Sequence, residues 1–229
     1  MRVYPKSYTT GLPSYLAPVA HLPSSSEADA AARIRAAFLL DGDPAPYMTD
    51  VIRAMRLLSG RHRYVEVGTY DKGCLAYCST LLARDALLVD VDVDARPDQT
   101  AKLQRFIQPG QTLVTVLGDS TAPSTLARVA EAVGREGADC IFIDANHSAA
   151  FAWADYANFS NLLADAGVML FHDVYWQGDG TCIGASTAME WIDRLDPVHV
   201  VFTDHPVHRF FPWFVKDVVV WGGVGILRR

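Results

Sequence analysis

The stretch Arg63-Tyr-Val-Glu-Val-Gly-Thr-Tyr-Asp-Lys-Gly-Cys74 decides the fold. Its first part, Tyr64 to Val67, has the β-branched and aromatic character of a short buried strand. Two glycines then turn the chain into Leu75-Ala-Tyr-Cys-Ser-Thr-Leu-Leu-Ala83, whose apolar residues recur at helical spacing. Strand, glycine turn and helix open a nucleotide-binding βαβ unit, where backbone N–H groups at the helix start face the ligand.

The turn does not suit a phosphate. Gly68 and Gly73 have the separation of a P-loop, but Cys74 and Leu75 stand where that loop needs Lys and Ser/Thr. A dinucleotide fingerprint needs a middle glycine so that the backbone can approach a pyrophosphate, and Tyr70 occupies that place. Glu66 closes the strand with a carboxylate, which repels phosphate and suits a ligand bearing an amino group and a sulfonium.

Outward from this stretch, strands and helices alternate. Strands are expected over 86–93, 112–117, 138–143 and 167–171, with helices over 99–107, 123–133, 149–164 and 183–195. Val198 to Phe202 and Val218 to Leu227 supply two final strands with no helical pattern between them. Apolar strands alternating with helices predict an α/β, Rossmann-like doubly wound sheet, mostly parallel and covered on both faces. The last two strands predict an antiparallel hairpin at its C-terminal edge. Residues 1–59 read as an irregular Pro/Ser/Tyr-rich arm followed by two helices, an extension suited to a lid or a subunit interface. Residues 60–229 form the core, and the whole is one domain.

In open α/β sheets the ligand sits outside the carboxyl ends of the strands, so the polar residues there are the candidates for chemistry. Strand two carries Asp90, Asp92 and Asp94 on one face. A carboxylate near its end can accept both hydroxyls of a ribose. Strand three ends in Leu117-Gly-Asp-Ser-Thr121, which read alone is a turn and a cap for the helix after it. Strand four ends in Asp144, with His147 three residues on, and strand five ends in His172-Asp173. Two carboxylates at neighbouring strand ends, with histidines beside them, form an oxygen-rich cluster of the kind a hard divalent ion prefers. Read as structure alone, the same residues are helix caps and turn formers.

Glu66-Val-Gly68-Thr-Tyr-Asp-Lys-Gly73 resembles motif I of the class I S-adenosylmethionine (SAM)-dependent methyltransferases, with one extra residue before the last glycine. The resemblance covers about residues 60–229. It implies a SAM site at Glu66, Gly68, Tyr70 and Gly73, with Asp92 on the ribose and Asp90 as the alternative register. It further implies Gly118, Asp119 and Ser120 around the adenine, and Asp144 beside the cofactor. The ends of strands four and five are similar to metal-dependent small-molecule O-methyltransferases, of the catechol type and of the antibiotic and sugar type related to cephalosporin-cluster methyltransferases. That similarity implies Mg2+ or Mn2+ on Asp144, His172 and Asp173, and His147 as general base. His172 departs from the family, where Glu or Asp is common, and imidazole is a poorer partner for magnesium than carboxylate.

The function expected is transfer of a methyl group from SAM to a hydroxyl of a small molecule, a secondary metabolite, with metal assistance. Three alternatives stay open: a metal-free N- or O-methyltransferase of the same fold, a nicotinamide-dependent oxidoreductase, and a non-catalytic SAM-binding protein. Tyr175 and Trp176 follow the acidic pair directly and could line an acceptor pocket. His205, His208 and the aromatic run Phe210 to Phe214 read as surface loop and hairpin core.

Composition narrows the partners. In 229 residues, half of them hydrophobic, the chain has enough apolar material for one large core. A formal net charge of −6 argues against nucleic acid as the main partner. No apolar run suits a membrane span, and the first 20 residues lack the apolar core of a secretory signal. Four scattered cysteines, Cys74, Cys78, Cys140 and Cys182, fit small buried thiols in a reducing cytoplasm. The expected partners are a hydroxylated small molecule and, through the arm, a second copy of the chain in a homodimer or higher oligomer.

Overall fold

The computed structural model describes residues 58–174, 176, 178, 181–196 and 224–228, together with the backbone of 198–201, 207–209 and 219–221. Four features named above lie outside the described residues: nearly all of the 1–59 extension, Tyr175, His205 and the 210–214 aromatic run.

Five strands and their helices follow in strict alternation. They are β1 (Arg63–Val67), α1 (Gly73–Leu81), β2 (Leu87–Asp92), α2 (Pro97–Gln104), β3 (Thr112–Leu117), α3 (Pro123–Val133), β4 (Ala138–Ile143), α4 (Ala149–Phe159) and β5 (Leu163–His172). After them come α5 (Ala185–Asp193), β6 (Val198–Val201), β7 (Val207–Arg209), β8 (Val219–Trp221) and β9 (Val224–Arg228). The main sheet has seven strands in the order β3-β2-β1-β4-β5-β9-β6. Its first five strands are mutually parallel, and β9 runs antiparallel to both β5 and β6. This is the doubly wound sheet with an antiparallel edge that the alternation predicts. No helix among the described residues is long and apolar enough to cross a membrane.

Most bounds shift by one to three residues from the sequence reading, and two differ more. The helix expected to run to residue 164 stops at Phe159; a 3-10 turn covers Ser160–Leu162, and β5 begins at Leu163. Leu163 is buried, and its pairing with Ala138 extends the sheet across a register shift, which outweighs the local helical pattern. The last strand is split: residues 219–221 pair with β7 in a small separate sheet, and only 224–228 enter the main one.

The pleat sorts β1 between two cores. Val65 and Val67 join Val89, Val91, Ile141 and Met169 under α3, α4 and α5. Tyr64 points the other way, with Leu88, Phe142 and Leu170, against Leu75, Ala76 and Cys78 of α1. Both faces are therefore dry, and ligand chemistry is confined to the sheet's carboxyl edge. The register aligns that edge. Val67 is opposite Val91 on one side and Ile143 on the other, Ile143 is opposite Phe171, and Asp92 is opposite Leu117. One step beyond, Asp92, Gly68, Asp144 and His172 form a single row.

Candidate active site

The glycine turn is built on a buried charge pair. Tyr70 and Lys72 both adopt left-handed backbone, with φ of 39° and 64°, a conformation that side chains other than Gly, Asn and Asp rarely take. Lys72 is fully buried, and its Nζ donates to both carboxylate oxygens of Asp90 at 2.9 Å and to Thr69 Oγ1 at 3.0 Å. Asp90 also accepts from Thr69 Oγ1 at 2.6 Å and from Thr115 Oγ1 at 3.2 Å. These contacts hold the strained turn from below. The Asp90 carboxylate is thereby committed to the protein, a role that sequence reasoning missed. The available signal was the lone lysine between the two glycines.

Gly68 has φ +88°, and a Cβ there would lie 2.3 Å from Ala145 Cα and 2.5 Å from the Asp144 carbonyl oxygen. The ends of β1 and β4 touch at this point. Gly68 N–H donates to Val91 O, and Asp144 N–H donates to Val67 O, each at 2.8 Å. Glycine is required because the strand-four loop crosses directly over it.

Glu66 is buried and accepts a 2.6 Å hydrogen bond from the Tyr64 hydroxyl. Burial pushes its carboxyl well above the usual range. The Tyr64 bond offsets part of that, and the neighbouring Asp144, Asp90 and Asp71 add to the rise. A cation reaching this end of β1 would relieve the penalty. Gly73 opens α1, and its N–H donates to Asp71 Oδ1 at 2.9 Å.

Asp92 is half-buried at the end of β2. It accepts from Tyr70 N–H at 2.8 Å and from Asp94 N–H at 3.0 Å. Tyr70 is 66% exposed, with the Arg96 guanidinium 3.9 Å from its ring centroid. Beyond β3, Asp119 is exposed, held below the ordinary carboxylate range by the Thr121 N–H and hydroxyl. Gly118 lies against Thr125, whose Oγ1 would be 2.3 Å from an added Cβ. Ser120 is buried, and its carbonyl accepts from Asn158 Nδ2 of α4 at 3.3 Å. Asp92 and Asp119 thus stand as carboxylates at the ends of the neighbouring strands β2 and β3, at the carboxyl edge of the sheet.

The tightest cluster lies at the ends of β4 and β5. Asp144 Oδ1 is 2.6 Å from His172 Nδ1 and 3.2 Å from His147 Nε2. Asp173 approaches the same histidines, with Oδ2 3.5 Å from His147 Nε2 and Oδ1 3.6 Å from His172 Nε2. Burial alone would raise Asp144, but the His172 charge and the two imidazole hydrogen bonds outweigh it and bring the carboxyl down to about 2. Burial likewise opposes a charge on His172, and the Asp144 carboxylate overcomes it, lifting the imidazole to about 9. Asp173 is a non-glycine residue at φ 51°, a turn Asp tolerates better than most. Its carbonyl accepts the Trp176 N–H at 2.9 Å, which brings the Trp176 ring edge-on to His147 with centroids 6.3 Å apart. His147, His172 and Asp144 each offer a ligand atom within 4.8 Å of the others. The sequence-derived groups therefore fall into two sets at the carboxyl edge, Asp92 and Asp119 on one side of Gly68 and Asp144 to Asp173 on the other.

A methyltransferase-domain family matches residues 65–174, which span β1 to the turn after β5. No curated protein matches the chain significantly. Among solved structures, an O-methyltransferase from Bacillus cereus in complex with SAH is similar at 16% identity, with a TM-score of 0.57 over 94% of this chain and 96% of that one. TomG, the Streptomyces achromogenes O-methyltransferase involved in tomaymycin synthesis, solved with SAM, gives 14% identity and a TM-score of 0.58 over 94% of each chain. Cofactor-bound Rv0187 from MTB gives 15% and 0.60, again over 94% of each. At these identities the solved structures establish the shared fold. The domain match carries further for the segment it covers: residues 65–174 match a methyltransferase domain.

Proposed function

We propose that this chain is a SAM-dependent methyltransferase that acts on a hydroxyl of a small molecule, a secondary metabolite, with a divalent ion at the Asp144–Asp173 cluster. The observation that supports the reading is the cluster of Asp144, His147 and His172 at the carboxyl edge, with Asp173 approaching both imidazoles. Transfer to oxygen needs an acceptor that has lost its proton and is held in line with the methyl group. The cluster supplies both anionic and imidazole groups for that purpose. Asp92 and Asp119 would bind the nucleoside, and Glu66 would meet the amino-acid end. When bound, SAM supplies the electrophilic methyl group, and a divalent ion would lower the pKa of a coordinated hydroxyl.

The donor set fits a divalent ion. Of the magnesium or manganese ligands expected from the sequence, Asp144 and His172 can bring ligand atoms together with His147, while Asp173 approaches both imidazoles from farther off. The chain's own contribution is orientation: Trp176 and Phe142 each contact one imidazole edge-on and restrict its rotation. Trp176 is buried and presents an aromatic wall beside His147, suited to a flat or apolar acceptor.

The test is a mass-spectrometric screen of hydroxylated acceptors with SAM, run with and without chelator. Methylated product that disappears with chelator and returns with added metal supports the reading. Full activity in excess chelator would remove the ion and return Asp144 and Asp173 to acceptor binding. SAM binding with no turnover on any acceptor class would leave a binding protein.

A further inference from the structure

We infer that the ion at this site is a borderline transition metal of the zinc, cobalt or iron(II) type, not magnesium, and that His147 is one of its ligands. The inference deepens the proposed function and rests on its metal half.

The argument is the donor set. Magnesium takes oxygen ligands in a near-ideal octahedron and gives up its waters reluctantly. Here two of the three side chains whose ligand atoms lie within 4.8 Å of one another are imidazoles, and both rings are largely shielded, with side chains 22% exposed at His147 and 10% at His172. Imidazole nitrogen suits zinc, iron and their neighbours, while an all-oxygen shell suits magnesium. The spacing agrees. Ligands about 2.0–2.1 Å from a tetrahedral ion lie about 3.3 Å apart. His147 Nε2 stands 3.2 Å from Asp144 Oδ1 and 3.5 Å from Asp173 Oδ2. The same nitrogen thus spans two carboxylates that come from different strands. That spacing leaves the nitrogen and both carboxylates within reach of a single ion. The 2.6 Å contact between His172 Nδ1 and Asp144 Oδ1 would open on metal binding, as the shared proton gives way to the ion.

The experiment uses the full chain, stripped with chelator and titrated calorimetrically with zinc, manganese and magnesium chlorides. Cobalt(II) serves as a spectroscopic probe. Zinc and cobalt are expected to bind at one equivalent, tighter than magnesium by about two orders of magnitude or more. The cobalt complex is expected to show visible d–d bands without the intense charge-transfer band of a thiolate ligand. His147→Ala is expected to weaken zinc while leaving SAH binding intact, and His172→Asp to shift the preference back toward magnesium. Magnesium binding as tightly as zinc in the unaltered chain would overturn the inference while keeping the metal reading. So would a thiolate band, or zinc affinity unchanged in a folded His147→Ala protein. Absence of binding by any of the ions would overturn the metal half of the proposed function as well.

Discussion

The ends of β2 and β4 both carry acids beside a basic side chain, yet the two regions use them oppositely. At β2, Lys72 and Asp90 are fully buried and satisfy each other, with Thr69 and Thr115 taking up the remaining hydrogen bonds. That charge pair is architecture, supporting the glycine turn from below. At β4 and β5 the acids and imidazoles crowd together near the surface, with more ligand atoms than one proton can serve. Compensated charge beneath a loop fixes shape, whereas a cluster of like-minded donors at a strand edge is held ready for something else. The same residue types are separated in function by how completely the protein satisfies them.

The largest expected effect would break the first region. Lys72→Ala leaves the Asp90 carboxylate buried and unpaired, so urea unfolding should show a loss of about 3–5 kcal/mol. Replacing both partners with apolar residues, Lys72→Met with Asp90→Leu, should restore much of it. A single variant as stable as the parent would show that water reaches this pair.

Next comes a buried acid outside both regions. Asp155 of α4 has no surface exposure and neither carboxylate oxygen meets a hydrogen-bond partner among the described residues, and burial raises its carboxyl from 3.8 to about 6. A raised pKa means that the native state binds the proton more tightly than the unfolded chain. The stabilisation is therefore complete below the unfolded value and is lost as the pH rises through about 6, a change of about 3 kcal/mol. Asp155→Asn should match the parent near pH 4 and exceed it above pH 6 in thermal melts. Parallel melting profiles across that range would place the carboxylate in contact with water.

A smaller effect sharpens the cofactor side. Asp92→Ala should weaken SAH in calorimetry by about 1.5–3 kcal/mol, the range for hydrogen bonds to a charged group. If affinity holds in the folded variant, the ribose lies elsewhere. The smallest effect is expected at Arg96, whose guanidinium covers the exposed Tyr70 ring. Arg96→Ala should cost less than about 1 kcal/mol of stability. A larger loss would make this lip of the cleft part of the folding core.

Much of the architecture was legible from the chain alone. The period of the apolar residues marks each of β1–β5, and the bounds of β3, α3 and β4 coincide with those read from the sequence. At β4 local pattern suffices because a strand buried on both faces has almost no polar residues to blur it. The end of α4 was not legible, since Leu163 is recruited by Ala138 from across the sheet. Asp90 and Asp92 were likewise inseparable, because alternation places both on one face and gives no measure of depth.

The sequence by itself determined which residues stand at strand ends, because those positions follow from the apolar period and the glycine turns. It also determined that Glu66 precedes a turn unsuited to phosphate. Only the tertiary structure decided which of those polar groups are already satisfied. Lys72 and Asp90 find each other 18 residues apart, and Asp144 meets His172 across 28. Such pairings depend on the parallel register of β1, β2, β4 and β5, a non-local quantity that no window along the chain contains.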